Sequence, residues 1–90
     1  MKRYYFTWYN HVAQATITEF ILAEDETQAK QMAVLIMKLY GGDLYNINDI
    51  ENINELNDNY FFTMERLEEK CKVFKKEFVL PEIEEDEDDD

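Results

Sequence analysis

A nucleophile and its general base would have to come from Cys71 and His11, because the chain holds one cysteine, one histidine and no serine. Thiol catalysis needs the two side chains within hydrogen-bond reach. They stand sixty positions apart, and Cys71 falls on the apolar seam of a helical pattern, where a free thiol packs as a small hydrophobe. His11 falls in a polar turn and is expected to be solvated. The 21 acids raise the question of a metal. A calcium loop requires oxygen ligands at its first, third and fifth positions and glycine at its sixth. Counting from Asn57, Asn59 and Glu68 fall at positions three and twelve, but Phe61 and Phe62 fall at five and six, where the geometry demands the ligand and the glycine. The two glycines, Gly41 and Gly42, are adjacent and make no phosphate cradle. The chain therefore reads as a non-enzyme with no catalytic residue, no cofactor and no metal.

Charge says more. The net charge is −12, and the last ten residues, Pro81 to Asp90, supply eight acids and no base. Such a run cannot bury enough apolar surface to offset its own ordering, so residues 81–90 are expected to form a disordered acidic tail beyond a single domain of residues 1–80. A field of this sign repels phosphate backbones and anionic lipid, which argues against direct nucleic-acid or membrane binding. Lys2 and Arg3 flank an aromatic strand that could stack bases, but two cations do not reverse the field. The natural counterpart is a basic nucleic-acid-binding protein.

Two acidic surfaces would meet such a partner. The first is Asp43, Asp49, Glu51, Glu55 and Asp58, a segment with five acids and no base; the second is the tail, Glu82, Glu84, Glu85, Asp86, Glu87, Asp88, Asp89 and Asp90. Duplex DNA carries one phosphate charge per about 1.7 Å of axis, a density that carboxylates on a folded scaffold can approach. Small size, strong negative charge and lack of catalytic equipment resemble the small acidic proteins with which phages mimic DNA. That resemblance implies an inhibitor occupying the nucleic-acid-binding surface of a basic host protein. The alternative is a structural or assembly protein that docks by its aromatic and heptad surfaces, homodimerisation included, with the tail as a solubilising arm.

The elements follow from periodicity. Residues 3–9 alternate Tyr4, Phe6 and Trp8 with Tyr5, Thr7 and Tyr9, and Ala15 to Leu22 is again β-branched and aromatic, so an antiparallel hairpin about Asn10–Gln14 is expected. One face of the first strand fills the core and the other is left for a partner. Asp25 and Gln28 stand at capping-box spacing before a helix buried on more than one face (Ala29, Met32, Ala33, Ile36 and Tyr40, widened by Leu35, Met37 and Leu39), which Gly41 and Gly42 end. Ile47, Ile50, Ile53 and Leu56 recur at three, which predicts a short helix or 3₁₀ turns.

From Tyr60 the apolar positions Met64, Leu67, Cys71, Phe74 and Phe78 step by four and three, which predicts a helix capped by Thr63 and running to Val79, stopped by Pro81. A third strand over Tyr60–Glu65 is the competing assignment. Glu65, Glu68 and Glu69 precede Lys70, Lys72, Lys75 and Lys76 along it, an order that suits the helix dipole and spaced ion pairs. The fold class is α+β, with an N-terminal antiparallel β-hairpin packed on two or three helices. A lone cysteine, the want of a cleavable leader and the want of about 20 consecutive apolar residues together point to the cytoplasm.

Overall fold

The computed structural model describes residues 1–46, 50–56 and 64–82. Strand β1 (Lys2–Asn10) and strand β2 (Ala15–Ala23) pair antiparallel along their whole length, from Lys2 opposite Ala23 to Asn10 opposite Ala15. The loop between them is organised by Asn10. Its Oδ1 accepts from the backbone N–H of Val12 at 2.8 Å and of Ala13 at 2.9 Å, and its carbonyl accepts from Gln14 at 2.7 Å. Asn10 is buried and Gln14 takes the left-handed conformation at φ 58°, so a short polar side chain supplies the turn that no glycine marks.

Helix α1 (Glu26–Gly41) begins as its sequence predicts. Asp25 accepts from Gln28 N–H at 2.8 Å, and Gln28 Oε1 reaches back to Glu24 N–H at 2.7 Å, so orphan donors on both sides of the cap are satisfied. Ala29, Met32, Ala33, Val34, Leu35, Ile36, Met37 and Leu39 are all buried, because the helix packs on the three strands and on a second helix. Gly42, at φ 57°, caps it through its N–H to the Lys38 carbonyl. Gly41 does something the sequence does not show. A Cβ there would lie 3.1 Å from Tyr45 Cβ, so the missing side chain makes room for Tyr45 at the helix end, while the Trp8 ring at 3.5 Å stands at ordinary van der Waals distance. A short 3₁₀ turn, Gly42–Leu44, follows.

Residues 50–55 correct the helical reading of the isoleucine spacing. They form strand β3 (Ile50–Glu55), antiparallel to β1 on the side away from β2, which gives the order β2-β1-β3. The physical reason is a bulge. Ile53 pairs with Phe6 and Ile50 with Trp8, so three steps on β3 span two on β1, and a spacing of three falls in register with alternate core positions of β1. Among the described residues the sheet is therefore three-stranded and antiparallel, with two α-helices, an α+β fold.

Helix α2 (Met64–Val73) is also corrected: it ends six residues before Val79. Lys75 sits at φ 59°, Lys75 N–H donates to the Lys72 carbonyl at 3.0 Å and Lys76 N–H to the Cys71 carbonyl at 2.7 Å. Those are the two bonds of a Schellman ending, made with lysine where glycine is usual. Leu67 and Cys71 are fully buried, but Phe74 lies beyond the last turn, 44% exposed and edge-to-face with Tyr40 at 5.6 Å. The chain then returns, and Phe78 and Leu80 pack against the core. Leu67→Ala is accordingly expected to cost about 2–5 kcal/mol and Phe74→Ala less than about 1 kcal/mol. Urea midpoints of the two variants check this; equal losses would place Phe74 in the core. The Thr63 cap and the greater part of the Tyr60–Glu65 strand lie outside the described residues, Met64 and Glu65 being helical.

Candidate protein-binding surfaces

The core faces of β1 and β2 carry Tyr4, Phe6 and Trp8 opposite Ile21, Glu19 and Ile17. Their other face carries Arg3, Tyr5, Thr7 and Tyr9 beside Thr16, Thr18, Phe20 and Leu22, with the Tyr5 and Phe20 rings 6.5 Å apart. Tyr5, Phe20 and Leu22 are half-buried and Tyr9 is 40% exposed, set edge-to-face with His11 at 4.8 Å. None of the four belongs to the core cluster. This is the outward aromatic face that strand alternation predicts.

The acids divide by element. Asp43 is exposed in the 3₁₀ turn after α1, Glu55 is exposed at the end of β3 opposite Tyr4, and Glu82 is exposed beyond the segment that packs Phe78 and Leu80. Glu51 lies on β3 with Glu55. Asp49, Asp58 and Glu84 to Asp90 lie outside the described residues, and so, apart from Pro81 and Glu82, does the tail whose disorder the sequence leads one to expect. Among the described residues no three His, Cys, Asp or Glu side chains gather into a group that could hold a metal ion. The Cys71 thiol is buried, and that burial, with Glu68 adding to it against Lys76, raises its pKa, which keeps it in the protonated form that is a poor nucleophile.

One acid behaves differently from the rest. Glu19 points to the core side of β2, opposite Phe6, with its side chain 12% exposed, and Lys70 of α2 reaches across to it at 3.7 Å. The Lys70 ammonium also lies 4.9 Å from the centre of the Tyr40 ring, a cation–π contact that carries the link to α1. Lys70 thus reaches β2, a contact that the spacing of acids and lysines along α2 does not suggest. Lys76, beyond the end of α2, donates to the Lys38 carbonyl at 3.3 Å, at the end of α1. The sequence did carry a signal for Glu19: it shares the phase of Ile17 and Ile21, and a charge on the core phase of a strand needs a partner.

Burial raises the Glu19 pKa above the ordinary 4.5, and Lys70 only partly offsets it. A raised value in the folded state means that the protonated form is the better accommodated one. The stability Glu19 contributes is therefore fully present below about pH 4.5 and is lost as pH rises through its folded value. Glu19→Gln, compared with the parent at high dilution, is expected to gain ground between about pH 4 and about pH 7. Urea midpoints across that range test the sign; a variant that loses ground instead would show the Lys70 attraction outweighing desolvation.

On α2 a shallow groove of about 250 Å³ opens between Arg66, Glu69, Lys70, Val73 and Phe74, with Val73 73% exposed. No described helix is long and apolar enough to cross a membrane. Compared with protein-family models, with curated proteins and with solved structures, the chain matches none.

Proposed function

We propose that this is a non-enzymatic binding protein, an acidic inhibitor that occupies the nucleic-acid-binding surface of a basic protein in the style of a DNA mimic. The observation that supports it is the distribution of charge between surface and interior. Every acid whose side chain is described, Glu19 excepted, is exposed. Several cations are meanwhile engaged: Lys70 with Glu19, Lys76 with the end of α1, and Lys30 with Glu26 at 3.7 Å. The surplus of negative charge therefore faces solvent, where it can steer and hold a cationic partner. Asp43, Glu51, Glu55 and Glu82, with the acids outside the described residues, form the contact. The test is displacement: a basic DNA- or RNA-binding partner should release its nucleic acid when this protein binds, and should release this protein as salt rises.

The aromatic face of Tyr5, Tyr9, Phe20 and Leu22 favours a second reading, an assembly protein that docks through apolar contacts. The two separate cleanly. A mimic fails when its carboxylates are neutralised, and an apolar dock fails when Tyr5 or Tyr9 is changed.

A further inference from the structure

Strand β2 is paired on one side only among the described residues, and β1 lies on that side. Its nine residues, A-T-I-T-E-F-I-L-A, hold no proline, glycine or lysine, the devices that ordinarily blunt a free edge. They are also nearly symmetric about their centre. Laid antiparallel against a second copy with the two-fold axis at Glu19, Ala15 falls opposite Ala23 and Ile17 opposite Ile21 on the core side, with Thr16 opposite Leu22 and Thr18 opposite Phe20 on the other. A self-complementary strand is what an isologous two-fold contact requires. The one pair that resists is the central one, because Glu19 would meet Glu19 of the copy on the core side, where added strands exclude water from both.

We propose that the outer edge of β2 is a pairing site for β2 of a second copy, held shut by the Glu19 carboxylate. Joining the edges would give a continuous six-stranded sheet with order β3-β1-β2-β2-β1-β3 and both copies' helices on one side. Lys70 does not relieve the obstacle fully, since each ammonium already serves its own Glu19 and leans on its own Tyr40. The two charges also differ in freedom. Lysine can lift its head to water on a four-carbon stem, while the short carboxylate stays with the strand. An inward-facing charge in the middle of an edge strand is a known means of preventing edge-to-edge association. This proposal stands whichever partner the acidic surface takes.

The experiment compares the full chain with Glu19→Gln, an isosteric change, and with Glu19→Thr, a β-branched residue suited to a strand. Sedimentation equilibrium gives the dimer constant and amide hydrogen exchange locates the contact. Both variants are expected to dimerise at least about tenfold more tightly than the parent, the like-charge obstacle being gone, with added protection of amides in Ala15–Ala23 and none in Ile50–Glu55. Folded variants that associate no more than the parent would overturn the proposal. So would tighter dimers in which the β2 amides gain no protection, since the contact would then lie on another face.

Discussion

Trp8→Ala is expected to unfold a large fraction of the molecule at room temperature. The indole is fully buried and lies against Gly41 at the end of α1, and in the sheet register Trp8 stands opposite Ile17 on one side and Ile50 on the other. Removing it empties the place where hairpin, third strand and first helix meet. Large aromatic-to-alanine changes in a core cost about 3–5 kcal/mol. A domain of this size has roughly 5–10 kcal/mol in total, so the loss takes up much of it. The contrast with Trp8→Phe makes the test specific. Trp8 Nε1 is buried with no hydrogen-bond partner among the described residues, and an unsatisfied buried donor costs about 1–3 kcal/mol. Phenylalanine loses contact area but also loses that donor, and is expected to fall within about 1.5 kcal/mol of the parent. Urea denaturation followed by circular dichroism measures both; alanine and phenylalanine variants of equal stability would show that packing at this position carries little.

The second large effect concerns association. Reversing Asp49, Glu51 and Glu55 to lysine and deleting residues 82–90 removes the surplus negative charge of the chain. If carboxylates steer and hold a cationic partner, the association rate should fall roughly 10- to 1000-fold, and its dependence on salt should largely vanish. Each half of the change has its own signature. Tail deletion should chiefly slow association, because a dense run of like charge acts most strongly through long-range steering. The body reversals should also speed release, because they remove contacts made in the complex. Surface plasmon resonance at several salt concentrations separates the two. A folded variant carrying both changes that binds with undiminished affinity and unchanged salt dependence would sink the mimic reading, and the aromatic face would take its place.

Much of the fold is legible in the residues, and the two misreadings have physical causes. The hairpin and α1 carry redundant signals: alternation, a capping box and a glycine beyond the end all agree. Strand β3 carries a contradictory one, since a bulge makes Ile50 and Ile53 alternate at the wrong period. Such a bulge is defined by the partner strand and cannot be seen in β3 alone. The end of α2 is hidden for a similar reason. Lysine at the left-handed position is tolerated there because the two Schellman bonds form and Phe78 and Leu80 can then return to the core, a tertiary gain that no local rule contains. At the candidate site, the phase of Tyr5, Thr7 and Tyr9 and the exposure of Asp43, Glu55 and Glu82 follow from the sequence. The reach of Lys70 to Glu19 does not, because two residues 51 positions apart are joined by packing alone.

The central place of β1 also fixes the order in which the sheet can assemble. Its pairing with β2 closes a loop of four residues, His11 to Gln14, whereas its pairing with β3 sets Trp8 opposite Ile50 and must close a loop of about 40 residues between those two. Closing the longer loop costs about 2 kcal/mol more in chain entropy, and hairpins form in about 1–10 μs, so β2 joins first and β3 last. A chain emerging from its N-terminus builds in the same sequence. Helix α1 therefore packs on a two-stranded ribbon, and the free flank of β1 waits with Phe6 and Trp8 beside it until Ile53 arrives. The interval before that last closure is when this chain is most exposed to pairing with a stranger.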